Sequence, residues 1–212
     1  MQNAAKFWDK IAEKYAKSPI ADEDAYTYTL ERTRSYLSPN DNILEVGCGT
    51  GSTALLLAGD VRQITASDLS GNMIRIGSEK ARDQGVSNVT FVSAELFDSA
   101  IESRPYDAIL ALNFLHLLED MPAAIRRING LLKPGGTFIS KTVCALGSGM
   151  PLKFRLIKMI LPLMQLIGKA PYVNFMEIKD LEKIISAGGF KIIETGNYPA
   201  SPPNRYIVAQ KM

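Results

Sequence analysis

Apolar residues recur along the chain with two different periods, and the change of period divides it. Phe7, Ile11 and Tyr15 recur at every fourth position, which predicts an amphipathic helix that ends before Pro19. Segment 22–37 is also amphipathic and predicts a second helix. Short β-rich runs then alternate with helical patterns, so a helical cap is expected to precede a strand–helix region.

The strand–helix region predicts the fold class. Its β-rich runs predict strands at 42–46, 63–67, 88–93, 106–112, 137–143, 190–196 and 205–210. Its helical patterns lie at 52–58, 71–84, 121–132, 151–167 and 178–187. This alternation predicts an α/β fold in which helices cover both faces of a parallel sheet. Ligands bind such sheets at the carboxyl ends of the strands, so functional residues are expected just after each strand.

The composition excludes several classes of protein. The 212 residues suffice for one domain, and 46% apolar with 22% charged residues is ordinary for a soluble globular chain. A net charge of +2 argues against a nucleic-acid-binding protein. Two cysteines and a single histidine argue against a disulfide framework and a Cys/His metal site. No run of 18 apolar residues occurs, so no transmembrane span is expected, and the cytoplasm is the expected location.

Three glycines follow the first predicted strand at every second position: Gly47, Gly49 and Gly51. Without side chains, the backbone there can turn sharply and approach a ligand closely. A dinucleotide fingerprint of the form Gly-x-Gly-x-x-Gly would need its third glycine at Ser52. A carboxylate at Glu45, near the end of the strand, would repel a diphosphate and attract an ammonium group. The pattern therefore favours a methionine-derived cofactor over NAD.

The run from Glu45 through Gly47 and Gly49 to Gly51 resembles motif I of class I S-adenosylmethionine-dependent methyltransferases, and the similarity extends over 42–141. The motif layout is similar to that of ubiquinone/menaquinone-type methyltransferases. The resemblance implies a Rossmann-like, seven-stranded, mostly parallel sheet of order 3-2-1-4-5-7-6, with an antiparallel seventh strand. It also implies S-adenosyl-L-methionine as the cofactor and S-adenosyl-L-homocysteine as the product.

The resemblance also assigns cofactor contacts to individual residues. Asp68 stands where the family's acid accepts both ribose hydroxyls, although it is also compatible with an ordinary helix start. Met73 stands where an apolar side chain packs on the adenine, and Glu95 replaces the aspartate that takes the adenine amino group. The full set placed around the cofactor is Glu45, Gly47, Cys48, Gly49, Gly51, Asp68, Leu69, Met73, Ala94, Glu95, Leu96 and Asn113.

Methyl transfer from a sulfonium depends on positioning and on exclusion of water more than on strong acid–base groups. His116, the single histidine, follows the fourth predicted strand and is the candidate general base or substrate contact. The alternative for His116 is a packed structural role. The other candidate residues of the substrate pocket are Tyr15, Tyr26, Tyr172 and Tyr198. No metal site is predicted.

An apolar segment with a narrow polar stripe, 151–168, follows the fifth predicted strand. Four interpretations stay open: a lid over an acceptor pocket, a homodimer interface, a face in peripheral contact with a membrane, and a helix buried in the core. Its position after the fifth strand favours the lid among the functional interpretations. The expected partner is a small, lipophilic acceptor. Nucleic acid is not expected, because Asn113 is not followed by the Pro-Pro-Tyr of base methyltransferases.

One domain in four stretches is expected. These are a helical cap at 1–40, a cofactor-binding core at 41–143, a lid or acceptor insertion at 144–176, and a segment that completes the sheet at 177–212. The sequence favours methyl transfer to a small acceptor. Two alternatives are a non-catalytic S-adenosylmethionine-binding regulatory or scaffold module and, less favoured, an NAD-dependent oxidoreductase.

Overall fold

The structure is a computed structural model that describes residues 2–102, 105–144, 161, 164–165, 170–174 and 176–212. Its helices are α1 (Gln2–Ala16), α2 (Glu23–Arg34), α3 (Ser52–Leu57), α4 (Gly71–Asp83), α5 (Met121–Leu131) and α6 (Ile178–Ala187). Its strands are β1 (Asn42–Val46), β2 (Gln63–Asp68), β3 (Val89–Ser93), β4 (Tyr106–Leu112), β5 (Leu132–Val143), β6 (Phe190–Asn197) and β7 (Asn204–Lys211). The helix predicted at 151–167 lies outside the described residues, apart from 161, 164 and 165.

The described strands form one seven-stranded sheet in the order β3-β2-β1-β4-β5-β7-β6. Neighbouring strands from β3 to β5 pair in parallel, whereas β7 lies antiparallel between β5 and β6. The predicted Rossmann-like fold and strand order are therefore confirmed. The order of the strands reverses between β1 and β4, and such a switch point forms a ligand-binding crevice at the carboxyl ends of the strands.

Polar side chains explain where two of the helices begin. The Asp22 side chain accepts a hydrogen bond from the Ala25 N–H at the start of α2. The Ser70 hydroxyl accepts one from the Met73 N–H at the start of α4. Such N-caps satisfy backbone donors that have no partner inside the helix. The start of α4 is thus fixed three residues after β2 ends, which keeps this turn short.

Strand β5 begins earlier than the sequence predicts. The prediction starts it at Thr137, whereas the structure starts it at Leu132, which pairs with Tyr106 of β4. The register then shifts before Ala108 pairs with Thr137. Gly135 lies between the two pairings with a left-handed φ of 72°. The Lys-Pro-Gly-Gly segment at 133–136 is therefore an irregularity within the strand.

Apolar layers cover both faces of the sheet. Leu44 of β1 belongs to the layer that packs against α5 and α6, and its neighbour Ile43 belongs to the layer beneath α2 and α3. Successive side chains of a strand point to opposite faces. Glu45 therefore shares the face of Ile43, beneath α2 and α3.

Helix α1 packs on α4. Ala12 forms a small apolar cluster with Met73 and Ile76, and Trp8 packs against it. The predicted helical cap is thus in contact with the region that follows β2. The four predicted stretches of the domain stay a prediction. Within the residues described, no helix has the length and apolar character needed to span a membrane.

Candidate functional site

The turn after β1, residues 47–51, is called the glycine loop. Its three glycines have left-handed φ angles of 66°, 53° and 70°. A Cβ atom on Gly47 would lie 2.3 Å from Cδ2 of Phe114, and one on Gly51 would lie 2.4 Å from Cε1 of Phe91. These two positions therefore exclude side chains for steric reasons as well as for reasons of backbone conformation.

The Glu45 carboxylate lies buried beside the glycine loop, with 3% of the residue exposed. The backbone N–H of Ala54 in α3 hydrogen-bonds to it, but the Oε2 atom has no partner among the described residues. Burial raises the pKa of Glu45 to about 8, and the charge of Asp68 adds to the rise while the Ala54 bond opposes it. A buried acceptor without a donor fits a cationic ligand group such as an α-ammonium.

Asp68, at the end of β2, connects the glycine loop to the start of α4. Its Oδ2 atom accepts a hydrogen bond of 2.9 Å from the Gly49 N–H, and its Oδ1 atom accepts one of 2.9 Å from the Ser70 N–H. Burial raises the pKa of Asp68, and these two donors lower it. Each carboxylate oxygen can accept a further donor, as the predicted contact with two ribose hydroxyls requires.

A cavity of about 330 Å³ lies beyond the ends of β2 and β3. It is lined by Leu69, Ser93, Ala94, Glu95, Phe97 and Asp98. The cavity brings together three residues predicted from the sequence, and it adds the half-exposed ring of Phe97. The apolar side chains of Leu69, Ala94 and Phe97, beside the acids Glu95 and Asp98, suit a flat heterocycle that carries an amino group. Adenine fits this description.

Three other predicted cofactor residues have side chains buried in the protein's own packing. Cys48 belongs to the layer beneath α2 and α3, and burial raises its pKa. Leu96 belongs to the opposite layer. Met73 packs against Ala12 of α1 with 2% of its surface exposed. Their cofactor contacts stay predictions, and each side chain has a packing role in this structure.

Asn113 follows β4 with a left-handed φ of 57°. Its N–H donates a hydrogen bond of 2.7 Å to the Lys141 carbonyl, and its Oδ1 atom accepts one of 3.0 Å from the Asn204 amide. The next residue, Phe114, packs against Gly47 of the glycine loop. Asn113 therefore lies beside this loop at the switch point of the sheet, where the sequence placed it.

His116 lies in the short 3-10 turn Leu115–Leu117 that follows. Its Nδ1 atom is buried and has no partner in the described part of the chain, and its carbonyl accepts a hydrogen bond of 2.7 Å from the Asn174 N–H. Burial lowers the pKa of His116 to about 4. The ring is therefore neutral and weakly basic near pH 7.

Of the four predicted pocket tyrosines, Tyr15 lies at the glycine loop and Tyr26 lies at the start of α3, the helix that follows it. A Cβ atom on Gly49 would lie 3.6 Å from Cε1 of Tyr15. The Tyr26 hydroxyl lies 3.2 Å from the Thr53 hydroxyl. Burial raises the pKa of both tyrosines, and the charge of Glu45 raises both further. Helices α1 and α2 thus each place a tyrosine near the buried carboxylate.

The other two tyrosines have different surroundings. Tyr172 lies in the described segment 170–174 and is 38% exposed. Tyr198 packs on Tyr28 of α2, with ring centroids 4.5 Å apart, on the β6–β7 side of that helix. The described contacts of Tyr172 and Tyr198 do not include the glycine loop. Their place in a substrate pocket stays a prediction.

Comparison with known proteins finds methyltransferases. A family profile described as a methyltransferase domain matches residues 43–136. The ubiquinone/menaquinone biosynthesis C-methyltransferase UbiE of Shewanella oneidensis is 34% identical over 116 residues, which cover 53% of this chain and 45% of that protein. Residues 43–136 therefore match a methyltransferase domain, and the predicted resemblance to S-adenosylmethionine-dependent methyltransferases is confirmed. The chain spans about half the length of the Shewanella relative.

Solved structures share the fold of this protein. Geranyl diphosphate C-methyltransferase from Streptomyces coelicolor, in complex with Mg²⁺, geranyl diphosphate and S-adenosyl-L-homocysteine, has a TM-score of 0.72 at 15% identity, covering 90% of this chain and 79% of that one. The [4+2]-cyclase SpnF has a TM-score of 0.69 at 20% identity, covering 87% and 80%. At these identities the likeness concerns the fold alone.

One contact at the glycine loop could not be predicted from the sequence. Lys80 of α4 donates hydrogen bonds to the Thr50 carbonyl at 3.3 Å, the Thr50 hydroxyl at 2.9 Å and the Ser52 hydroxyl at 3.2 Å. Burial lowers the pKa of Lys80. A lysine in the last turn of a helix is ordinary, so the sequence gives no signal for this role. The contact ties the glycine loop to α4.

Proposed function

We propose that this chain transfers a methyl group from S-adenosylmethionine to a small-molecule acceptor. The observation that carries the proposal is the Oε2 atom of Glu45, a buried acceptor without a donor among the described residues, beside a loop that excludes side chains. The α-ammonium of the methionine moiety supplies the missing donor. A diphosphate there would meet a buried acid, which argues against the NAD alternative.

The other parts of the cofactor have matching residues. Asp68 would take the ribose hydroxyls with the acceptor capacity that remains on its two oxygens. The cavity that contains Glu95 would take the adenine, whose amino group suits that carboxylate. Asn113 would border the methionine moiety, since it follows β4 next to the glycine loop.

S-adenosylmethionine, when bound, supplies a sulfonium-activated methyl group, and its in-line displacement leaves S-adenosylhomocysteine. The chain then has to orient the acceptor and exclude water from the carboxyl edge of the sheet. Tyr15 and Tyr26 are placed to exclude water near Glu45. We assign His116 to acceptor contact rather than to proton abstraction, because a group with a pKa of about 4 is a poor base at neutral pH.

The acceptor is proposed to be lipophilic. Tyr15, which lies at the glycine loop and is half exposed, packs edge-on against Trp8, so α1 offers an aromatic surface there. The Shewanella relative is named for ubiquinone and menaquinone biosynthesis, and the Streptomyces neighbour for geranyl diphosphate. We propose that segment 151–168 forms a lid over the acceptor, and a dimer interface or membrane contact are the alternatives. We also propose that the protein is located in the cytoplasm.

Calorimetry with S-adenosylmethionine, S-adenosylhomocysteine and NAD tests the cofactor. We expect both sulfur compounds to bind and NAD not to bind. Asp68→Ala is expected to weaken binding of S-adenosylhomocysteine by about 1.5–3 kcal/mol, the range for hydrogen bonds to a charged group. Arg82→Ala is a matched control, since Arg82 is exposed and pairs with the exposed Asp83. Binding of NAD without binding of the sulfur compounds would refute the proposal.

Release of S-adenosylhomocysteine in the presence of quinone, phenolic and lipid extracts tests the transfer itself. This measurement also separates methyl transfer from the non-catalytic alternative, which predicts binding without release. Binding alone is insufficient evidence, because a protein named as a cyclase shares the fold. Cofactor binding without release in any extract would favour the regulatory or scaffold module.

A further inference from the structure

A buried ammonium group lies at the carboxyl end of β5. Lys141 is 7% exposed and pairs with Leu112 of β4 and Tyr206 of β7. Burial lowers the pKa of Lys141, and the charge of Asp22 opposes this effect. Charged groups are rarely buried without a partner, because removal from water is costly.

The Lys141 ammonium is poorly satisfied for its burial. It donates one hydrogen bond of 3.2 Å, to the Thr29 hydroxyl of α2. It forms no ion pair within the ranges that the structure describes, although an ammonium has three donors. Lys133, at the opposite end of the same strand, is a useful contrast. Its ammonium is 2.5 Å from the Asp107 carboxylate and more exposed.

The position of Lys141 connects it to the cofactor site. Side chains at paired positions of neighbouring strands share a face, and so do side chains two residues apart along one strand. Glu45 pairs with Leu110, Leu110 pairs with Ile139, and Lys141 lies two residues beyond Ile139. Lys141 and Glu45 therefore lie on the same face of the sheet.

Helix α2 spans the distance between these two groups. Tyr26 lies near Glu45, and Thr29 contacts Lys141. Thr29 follows Tyr26 by nearly one turn of α2. The Lys141 carbonyl also accepts the Asn113 N–H beside the glycine loop. The ammonium thus lies on the face of the sheet that carries Glu45, on the side of β4 and β5 rather than on the adenine side.

We propose that Lys141 binds an anionic oxygen group of the methyl acceptor, so that the substrate is a lipophilic acid rather than a neutral lipid. This inference rests on the proposed function. Thr29 uses its hydroxyl hydrogen on the Ala25 carbonyl, so its oxygen is fixed as an acceptor and holds the ammonium in place. The remaining Lys141 donors are then available to a carboxylate or phosphate. Such an ion pair would compensate the ammonium for the hydration that it loses on burial.

The test compares acids with their neutral counterparts. The affinities of octanoate, cinnamate and salicylate are compared with those of octanamide, cinnamamide and salicylamide, each titrated into protein saturated with S-adenosylhomocysteine. Phenyl phosphate tests whether a phosphate group is bound instead of a carboxylate. We expect at least one anion to bind about 10- to 100-fold more tightly than its neutral counterpart, benzyl alcohol being the counterpart of phenyl phosphate. The preference should fall below about twofold in Lys141→Met.

Two further variants keep the test decisive. Lys133→Met removes a lysine of the same strand and should retain the preference for anions, and Lys141→Arg keeps the charge and should retain most of it. Melting temperatures check that each variant is folded. Equal affinities for anions and neutral compounds in the original protein, or a preference that survives Lys141→Met, would overturn the inference. Failure of S-adenosylhomocysteine to bind would instead overturn the proposed function.

Discussion

The Asp9 carboxylate accepts a hydrogen bond of 2.6 Å from the hydroxyl of Ser70, 61 residues further along the chain. Asp9 also accepts a bond of 3.0 Å from the Asn72 N–H. The Ser70 N–H in turn donates to Asp68, the proposed ribose ligand. Helix α1 is therefore attached to the residues that fix the end of β2, and Tyr15 of the same helix lies at the glycine loop.

Asp9→Ala tests this attachment. We expect a loss of about 1–2 kcal/mol in the free energy of unfolding, because two donors at the start of α4 lose their acceptor. We also expect faster cleavage of α1 by a protease and weaker binding of S-adenosylhomocysteine. Glu13→Ala is the control, since its exposed pair with Arg75 should contribute less than about 1 kcal/mol. Equal protease sensitivity of the two variants would contradict the prediction.

Binding of the cofactor should release a proton from Glu45, to an extent that depends on pH. With a pKa of about 8, the carboxyl group is mostly protonated at pH 7, and a cationic ligand favours the ionised form. We expect about one proton to be released when S-adenosylmethionine binds at pH 7, and little at pH 9. Calorimetry in phosphate and Tris buffers measures the release. Glu45→Gln should abolish it and weaken binding about 10- to 100-fold.

Exposed Glu79 offers a control for this experiment, because Glu79→Gln should leave proton release unchanged. The unbound protein gives a second readout. The folded-state pKa of Glu45 lies above the ordinary value of about 4.3, so stability falls as the pH rises from about 4 to 8. Glu45→Gln should lack this fall. A wild-type protein that releases no proton at pH 7 would show that the ammonium does not bind at Glu45.

His116 should make the protein sensitive to acid. Its pKa of about 4 lies below the ordinary value of about 6.5, so its contribution to stability is complete above pH 6.5 and is lost as the pH falls towards 4. Relative to His116→Asn, the original protein should lose about 2–3 kcal/mol over this range. Urea unfolding at several pH values measures the difference. Parallel curves would mean that the imidazole is not buried as described.

The close contact between Gly77 and the Phe91 ring predicts that adding one methyl group at position 77 destabilises the fold. A Cβ atom on Gly77 would lie 2.4 Å from Cε1 of Phe91, and Gly51 of the glycine loop lies close to the same ring. We expect Gly77→Ala to lower the free energy of unfolding by about 1–3 kcal/mol. Chemical denaturation measures this loss, and an added Phe91→Leu should recover part of it.

Gly130→Ala provides the matched control, because Gly130 also lies in a helix but a Cβ atom there would meet nothing within 4 Å. This change should raise stability by about 0.5–1 kcal/mol, through the ordinary preference of helices for alanine. A Gly77→Ala variant as stable as Gly130→Ala would show that the Phe91 ring moves aside freely.

The helices and strands could be predicted from the sequence because the period of apolar residues depends only on residues that are close along the chain. Alternating and four-residue periods depend on neighbours along the chain, and the glycines after β1 have the left-handed backbone that favours glycine. The order of the strands came from the resemblance carried by motif I. The contacts of Asp9 and Lys80 depend on packing between distant segments, and no short pattern encodes them.

Charge environments were the least predictable part of the site. The position of His116 after β4 is visible in the sequence, but the burial that lowers its pKa depends on how the fold packs around the ring. Met73 packs against Ala12 of α1, a contact between distant segments, and its place at the adenine stays a prediction. Lys141 carried no signal at all, because a lysine in a strand is recognisable as buried only when the helix above it is known.

The arrangement of β5, β7 and β6 sets the order in which the protein can assemble during translation. In the described part of the chain, β6 joins the sheet only through β7, which is synthesised after it. The parallel strands β1 to β5 can associate first, while β5 and β6 keep unpaired edges. Ribosome-bound intermediates that lack β7 should therefore be the species most prone to wrong strand pairing, and most in need of a chaperone.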